Sequence, residues 1–284
     1  MATAFHEGGD IDARSTAALA RRLVDDGSQG LVVAGTTGES PTLDDHEKIA
    51  LLEAVVDEVG DETTIILGSG SNDTRHSVEL TRAAADAGAD AGLVVTPYYN
   101  RPNAAGLKAH FTAIAEGSPD LPLILYNIPS RVGINMEPDF LAELAQVPNI
   151  VAVKQANDEQ LQAIPGLDLL AGNDVGFLRV LELGGAGGIL VASHLAGGRM
   201  RQMWDSAQAG DLEQARQTDL ELAPLYSAMG VTINPIPVKA ALEMVGICSA
   251  TMRLPMVEAT PEEKEEIRTL LSQAGIDLPE RGTL

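Results

Sequence analysis

The chain has 284 residues, of which 45% are hydrophobic and 21% charged, a composition typical of a globular protein with a sizeable core. Its formal net charge of −22 disfavours nucleic acid or an anionic membrane surface as a binding partner. No apolar run reaches the roughly 18 residues of a membrane span, no secretory signal is evident, and the single Cys248 cannot form an internal disulfide, so we expect a cytoplasmic protein.

Short apolar runs of strand length recur along about the first 210 residues and alternate with amphipathic helical patterns. Continuous apolar runs are typical of strands that are buried on both faces of a parallel sheet. The predicted strands are Ala2–Phe5, Gly30–Ala34, Thr63–Leu67, Ala91–Thr96, Leu121–Tyr126, Ile150–Lys154, Leu167–Ala171 and Gly188–Ala192. Eight such strands predict a (β/α)8 TIM barrel, whose usual size is about 250 residues, and an open doubly wound sheet is the alternative.

The helices are bounded by capping signals. Thr42 and Asp45 predict the start of a helix that ends at Gly60, and Thr260 and Glu263 form a capping box near the end of the chain. From about residue 211 the pattern is helical and lacks a convincing strand. We therefore predict a catalytic barrel over residues 1–212 and a small, all-helical C-terminal appendage over residues 213–284.

Lys154 ends the apolar run NIVAVK, where a cation is costly unless it is paired, reaches water or takes part in chemistry. Lys48, Lys108 and Lys264 have polar neighbours and are expected to be solvated, and Lys239 is expected early in a helix of the appendage. A desolvated lysine has a lowered pKa and can attack a carbonyl to form a Schiff base. Lys154 is therefore a candidate nucleophile, and an ion pair across the barrel mouth is the alternative.

Other reactive residues follow other predicted strands, and in a β/α barrel these strand ends meet at one rim. Tyr126 is either a proton shuttle beside a Schiff base or a packing residue, and Arg131 is either a clamp for a substrate carboxylate or a surface charge. The GTTGES turn, with Thr36 and Thr37, can hold a carboxylate or serve only as a glycine-rich turn. The five histidines are scattered and form no His-x-x-x-His pair, so no metal site is expected.

Five motifs, in order and with matching spacing, resemble the 4-hydroxy-tetrahydrodipicolinate (dihydrodipicolinate) synthase family: GTTGESPTL, VVTPYYNRP, LYNIPSRVG, VAVKQA and NPIPVKAAL. The pyruvate-dependent class I aldolase superfamily shares the lysine and the YNIP tyrosine. The PSRVG arginine and the double threonine favour the synthase over N-acetylneuraminate lyase and the keto-sugar-acid aldolases. The resemblance implies a cofactor-free lyase of lysine and diaminopimelate biosynthesis that condenses pyruvate with L-aspartate 4-semialdehyde.

The resemblance also implies catalytic roles for four residues. Lys154 forms the Schiff base with pyruvate, and Tyr126 is the acid/base beside the imine. Thr36 relays protons between Tyr126 and Tyr99, and Tyr99 reaches in from a neighbouring subunit. This relay requires at least a homodimer, and members of the family are usually tetramers.

Four further residues are implied to bind substrate. Thr37, with the adjacent backbone, holds the pyruvate carboxylate, and Arg131 holds the carboxylate of the semialdehyde. Gly172 and Ile189 match positions whose backbone lines the pocket. No nucleic acid and no membrane is expected among the partners.

Some family members carry a feedback site for lysine at the dimer interface. The residues here that correspond to it are Ser40, Asn72, His76 and Tyr98. In lysine-sensitive members, histidines occupy the positions of Asp45 and Lys48, and a glutamate occupies that of His76. These changes remove or reverse charges that would bind a zwitterionic amino acid, so the site is expected to be degenerate and lysine inhibition weak or absent.

Three other functions remain alternatives at this stage. A related class I aldolase acting on a 2-keto-3-deoxy sugar acid or on N-acetylneuraminate would use the same Lys154 and Tyr126. A non-catalytic barrel could retain only affinity for pyruvate. A metal-dependent aldolase is the least favoured, because no cluster of metal ligands is evident in the sequence.

Overall fold

The computed structural model describes residues 1–279. Its helices and strands, in chain order, are α1 Ala13–Asp25, β1 Gly30–Val33, α2 Asp45–Val59, β2 Thr64–Gly68, α3 Thr74–Asp86, β3 Ala91–Val95, α4 Ala104–Gly117, β4 Leu123–Asn127, α5 Pro129–Val132, α6 Pro138–Leu144, β5 Ile150–Gln155, β6 Asp168–Ala171, α7 Phe177–Glu182, β7 Gly187–Gly188, α8 Ser193–Gln208, α9 Leu212–Met229, α10 Ile236–Met244 and α11 Pro261–Gln273. Two compact units divide these elements: Thr64–Leu190, and residues 1–63 together with 191–279.

The unit Thr64–Leu190 is built on a parallel sheet. Strands β2 to β7 pair in chain order, and helices occupy most of the connections between them. Most of their apolar residues are buried, as expected for strands that are covered on both faces, and Val151 of β5 is an exposed exception. The predicted α/β class is confirmed. Because the strand order does not reverse, these six strands do not have the doubly wound arrangement.

The second unit is mainly helical. Helix α1 packs against α2, α8 against α9, and α11 against both α9 and α10. The predicted capping box of α11 is confirmed: the Thr260 side chain accepts the Glu263 N–H, and the Glu263 carboxylate accepts the Thr260 N–H. The predicted start of α2 is wrong, since Asp44 and Glu47 form its capping box in place of Thr42 and Asp45.

Two of the eight predicted strands differ from the structure, and the described residues contain seven strands. Ala2–Phe5 is buried but forms no ladder, because side chains satisfy part of its backbone: the Ala2 N–H donates to His194 Nε2 and the Ala4 N–H to Thr16 Oγ1. The strand predicted at Gly188–Ala192 is reduced to β7, since the chain then turns into α8. The other six predictions agree within two residues at each end.

The predicted boundary between residues 212 and 213 falls at the start of α9, inside the mainly helical unit, and it stays a prediction. None of the helices within residues 1–279 combines the length and apolar character needed to cross a membrane.

Two buried histidines are held in the neutral form. The Nδ1 of His110 lies 2.9 Å from Thr74 Oγ1, and the Nε2 of His194 accepts the Ala2 N–H at 3.0 Å. Desolvation lowers the pKa of His110 from 6.5 to about 4 and that of His194 from 6.5 to about 3. Each folded-state pKa lies below the unfolded value, so the unfolded chain binds more protons as the pH falls below 6.5.

We therefore expect the protein to lose stability on acidification. The stability that the fold gains from keeping these histidines neutral is fully present above pH 6.5 and is lost as the pH falls toward their folded-state pKa values. At pH 5, each histidine lowers the free energy of unfolding by about 2 kcal/mol relative to neutral pH. Denaturant unfolding between pH 7 and pH 5 measures this slope. The variant His110→Gln should flatten it, and His46→Gln, at an exposed position, is the matched control. Equal slopes for the parent and His110→Gln would contradict the assignment.

Candidate active site

Lys154 and Tyr126 are neighbours on adjacent strands at the carboxyl end of the sheet. They are register partners in β5 and β4, and Lys154 Nζ lies 4.2 Å from the centroid of the Tyr126 ring. The two residues are only 8% and 4% exposed. Within residues 1–279 no carboxylate forms an ion pair with Lys154, so the salt-bridge alternative has no partner among them. The arrangement is a buried primary amine packed against a phenol, and a buried lysine amine is a nucleophile that can form a Schiff base with a carbonyl compound.

Hydrogen bonds fix the backbone that carries this pair. The carbonyl oxygen of Tyr126 accepts both the N–H and the hydroxyl of Thr96, at 3.0 and 2.9 Å. The next pair along the ladder is Asn127 and Gln155, and Asn127 Nδ2 donates to Gln155 Oε1 at 3.0 Å. Because successive side chains of a strand point to opposite faces, this amide pair lies on the face opposite Tyr126 and Lys154.

Asn127 also holds the following loop through its other atoms. Its Oδ1 accepts the Met136 N–H at 3.0 Å, and its Nδ2 contacts Asn135 Oδ1 at 2.9 Å. Asn135 in turn donates to Gln160 Oε1 at 2.7 Å. A buried network with satisfied members rigidifies the strand ends that it joins. Reasoning from the sequence missed this network, because amide side chains have no distinctive spacing.

The other predicted site residues of the unit Thr64–Leu190 follow its strands. Arg131 is an exposed residue of α5, directly after β4. Gly172 follows β6 and donates its N–H to Gln155 O at 2.7 Å; a Cβ there would lie 2.7 Å from Ala156 Cβ, so only glycine fits. Ile189 follows β7 and donates its N–H to Ala171 O at 2.9 Å.

Within residues 1–279, Tyr99 makes no hydrogen bond or ring contact with Lys154, and its side chain is exposed. It is 90% exposed, and its backbone has a φ of +70°, in the left-handed region; Arg101 has a φ of +46°. Such a conformation costs a non-glycine residue about 1 kcal/mol or more. A strained loop thus displays an aromatic ring to the solvent around the chain.

Thr36 and Thr37 lie in a tight turn of the mainly helical unit, after β1. The Glu39 N–H donates to Thr36 O at 3.2 Å, and Asn234 Nδ2 donates to Thr37 Oγ1 at 3.1 Å. Since the amide occupies a lone pair of that oxygen, the Thr37 hydroxyl proton can be directed at another acceptor. No role was predicted for Asn234. Its place as the first residue of the NPIPVKAAL motif was the only sequence feature that could have indicated a role at the site.

The residues that correspond to a feedback site lie in both units. Ser40 begins a 3-10 turn in the mainly helical unit. In the other unit, His76 belongs to the first turn of α3, and Asn100 Nδ2 donates to Asn72 O at 2.8 Å, which ties that loop to the segment after Tyr98.

The lysine predictions are mixed. Lys108 is exposed and Lys239 lies early in α10, as expected, but Lys48 is buried, with its Nζ 3.5 Å from Asp45 Oδ1. In the described part of the chain no cluster of three or more histidine, cysteine or acidic side chains is arranged to hold a metal ion.

Residues 1–274 match the model of the dihydrodipicolinate synthetase family. The chain belongs to this family. The 4-hydroxy-tetrahydrodipicolinate synthase of Moorella thermoacetica is 47% identical over 283 residues, which cover 97% of each chain. The family membership predicted from the five motifs is therefore confirmed.

Solved structures of the dihydrodipicolinate synthase family agree over almost the whole fold. The dihydrodipicolinate synthase from Aquifex aeolicus is 35% identical with a TM-score of 0.94, covering 99% of this chain and 98% of that one. The chloride-inhibited enzyme from Acinetobacter baumannii, complexed with pyruvate, is 36% identical with a TM-score of 0.94, covering 98% and 97%.

Proposed function

We propose that the protein is a lyase that condenses pyruvate with L-aspartate 4-semialdehyde to 4-hydroxy-tetrahydrodipicolinate, in lysine and diaminopimelate biosynthesis. The observation that carries this proposal is the buried pair of Lys154 and Tyr126, with the amine 4.2 Å from the ring centroid and no carboxylate paired with it in the described residues. Membership of the dihydrodipicolinate synthetase family and the pyruvate complex of the Acinetobacter relative support the choice of substrates.

The reaction begins with attack of the Lys154 amine nitrogen on the keto carbon of pyruvate. Loss of water gives an imine, and loss of a proton from the methyl carbon gives an enamine. The enamine carbon bonds to the aldehyde carbon of the semialdehyde, whose oxygen takes up a proton. The amino group of the semialdehyde then displaces Lys154 from the imine carbon, which closes the ring and frees the lysine. Tyr126, packed against the amine, donates and accepts the protons of these steps.

The remaining residues bind and orient the substrates. Thr37 and the backbone of its turn hold the pyruvate carboxylate, while Arg131 holds the carboxylate of the semialdehyde through parallel hydrogen bonds. Thr36 takes part in the proton relay with Tyr99. Backbone groups at Gly172 and Ile189 line the pocket.

The active protein is at least a homodimer, and a homotetramer is the form we propose. The exposed ring of Tyr99, on a loop whose backbone is held in the left-handed region, supports this assembly, because such strain is commonly retained at functional sites. We further propose a closed (β/α)8 barrel over residues 1–212 and a helical appendage over residues 213–284, of which residues 280–284 lie outside the described part of the chain. We also propose a cytoplasmic location, no cofactor or metal, and neither nucleic acid nor membrane as a partner.

A comparison of substrates tests the function. The purified protein is assayed with pyruvate plus aspartate semialdehyde and, separately, with 2-keto-3-deoxygluconate and N-acetylneuraminate. Turnover of the first pair alone, unaffected by a chelator, is the expected result. Cleavage of a sugar acid with no condensation would assign the chain to the aldolases. Binding of pyruvate without a borohydride-trapped adduct would leave only a binding function.

Lysine is expected to inhibit this activity weakly or not at all. Asp45, Lys48 and His76 replace residues whose charges would complement a zwitterionic amino acid, and Lys48 is buried against Asp45. The measurement is a lysine titration of the condensation rate, with the parent as its own control at matched ionic strength. Clear inhibition at sub-millimolar lysine would contradict the prediction.

A further inference from the structure

A second lysine is buried more completely than Lys154. Lys239, in α10, is 0% exposed, and its Nζ donates to Glu39 Oε1 at 2.7 Å and to the carbonyl oxygen of Thr251. The same Nζ lies 4.5 Å from the centroid of the Phe5 ring. Two hydrogen bonds and an aromatic face thus satisfy the ammonium group, which leaves it no access to a substrate.

The partner of Lys239 closes the threonine turn, the segment Thr36–Glu39. Glu39 is buried and has a φ of +58°, a left-handed conformation that is unfavourable for a residue other than glycine. Both of its carboxylate oxygens are bonded: Oε1 accepts Lys239 Nζ, and Oε2 accepts the Arg253 N–H at 3.1 Å. These bonds hold the side chain of the strained residue in one orientation.

Arg253 extends the same cluster and balances its charge. Its guanidinium pairs with the Glu47 carboxylate and donates to Thr42 O at 2.7 Å and to Gly9 O at 2.7 Å. The guanidinium carbon lies 4.8 Å from the centroid of the Phe5 ring. Two cations therefore lie beside one aromatic ring, and each is paired with a carboxylate, so these four groups together carry no net charge. They join the threonine turn to the residues that follow α10.

Stability alone is a weak explanation for such an arrangement. Desolvating two charges costs about as much as their attraction returns, and well-packed apolar residues of the same volume often stabilise a core better. A buried ion pair does, however, disfavour any other arrangement of the segments that carry it, because moving one partner away leaves the other charge buried and unpaired. The element attached to Glu39 is the turn that carries Thr36 and Thr37, and the Glu39 N–H itself donates to Thr36 O at 3.2 Å.

We propose that Lys239 and Glu39 are positioning residues for pyruvate binding, with the ion pair setting the shape of the threonine turn. This inference rests on the proposed function, in which Thr37 holds the pyruvate carboxylate. Neither residue touches a reacting atom. The motif NPIPVKAAL thus acts on the site through Lys239, the sixth of its nine residues.

The test compares KM values. Lys239→Met removes the charge, and the double variant Glu39→Gln with Lys239→Met keeps an acceptor for the Arg253 N–H but leaves no unpaired charge. We expect KM for pyruvate to rise about tenfold or more in both variants, because small misplacements of binding groups are costly. KM for the semialdehyde should stay within about twofold, since Arg131 is unaltered. The double variant should recover thermal stability relative to Lys239→Met and thereby remain measurable if the single variant does not fold.

Leu242→Ala is the matched control, because Leu242 is a fully buried apolar residue of the same helix. Its loss of stability should lower the active fraction and leave KM for pyruvate unchanged. An unaltered KM for pyruvate in the double variant would overturn the inference, and so would an equal rise in Leu242→Ala. Borohydride trapping of pyruvate on the parent protein tests the proposed function separately. Absence of an adduct on the parent would contradict the proposed function, independently of the KM values of the variants.

Discussion

Lys154→Arg is expected to abolish condensation, with a fall in kcat of about a thousandfold or more. A guanidinium keeps a nitrogen-bearing side chain beside the Tyr126 ring, but it cannot form an imine with pyruvate. The substitution therefore removes the nucleophile while keeping a long polar side chain at this position. The measurement combines the steady-state rate with mass spectrometry after borohydride reduction in pyruvate, which should give an adduct on the parent and none on the variant.

Lys108→Arg is the matched control for this experiment. Lys108 lies in the same compact unit, but it is exposed and pairs with Glu143 at the surface. Its replacement should leave both the rate and the adduct at parental levels. Residual condensation by Lys154→Arg above about one per cent of the parent would contradict the assignment of the nucleophile.

Tyr126→Phe is expected to lower kcat by about 10²- to 10⁴-fold, the usual worth of a positioned acid/base. The phenyl ring keeps the face against which Lys154 Nζ packs, and Tyr126 is buried, so the fold and the amine should change little. Only the phenolic hydroxyl group is lost. Borohydride should still trap pyruvate on Lys154, but more slowly, because dehydration of the first adduct also needs a proton.

Tyr226→Phe provides the control for loss of a phenol. The Tyr226 hydroxyl donates to Asp219 Oδ1 at 3.2 Å in α9, so its removal costs about 1 kcal/mol of stability and no activity. A Tyr126→Phe variant with the parental kcat would show that the tyrosine only packs against the lysine. Loss of trapping together with loss of turnover would instead indicate that the substitution had displaced the amine.

Much of the fold was predictable because burial leaves a strong local signature. Strands that are covered on both faces must be continuously apolar, and six of the eight runs of this kind are strands in the structure. Ala2–Phe5 has the same composition, yet its N–H groups donate to His194 and Thr16. A run of apolar residues indicates that a segment is buried, but it does not indicate which groups its backbone bonds to. The wrong strand prediction at Ala2–Phe5 therefore could not have been avoided from the sequence.

For the lysines too, the sequence did not indicate which distant residues they contact. Lys154 was singled out because it ends an apolar run, whereas Lys48 and Lys239 lie in helical patterns with mixed neighbours. Both are nevertheless buried, since Asp45 and Glu39 compensate their charges. Glu39 is separated from Lys239 by 200 residues, and no local pattern predicts that pairing.

The amino-acid sequence alone determined the α/β class and the family, and it singled out Lys154 and Tyr126 as candidate catalytic residues, because strand periodicity and motif spacing are local properties. Only the tertiary structure decided that Lys154 and Tyr126 are partners in register, that Asn127 and Gln155 are bonded on the opposite face, and that Lys239 secures Glu39. These contacts depend on which strands pair and on how distant segments pack. Their free energies come from burial and hydrogen bonding between residues that are remote in the chain.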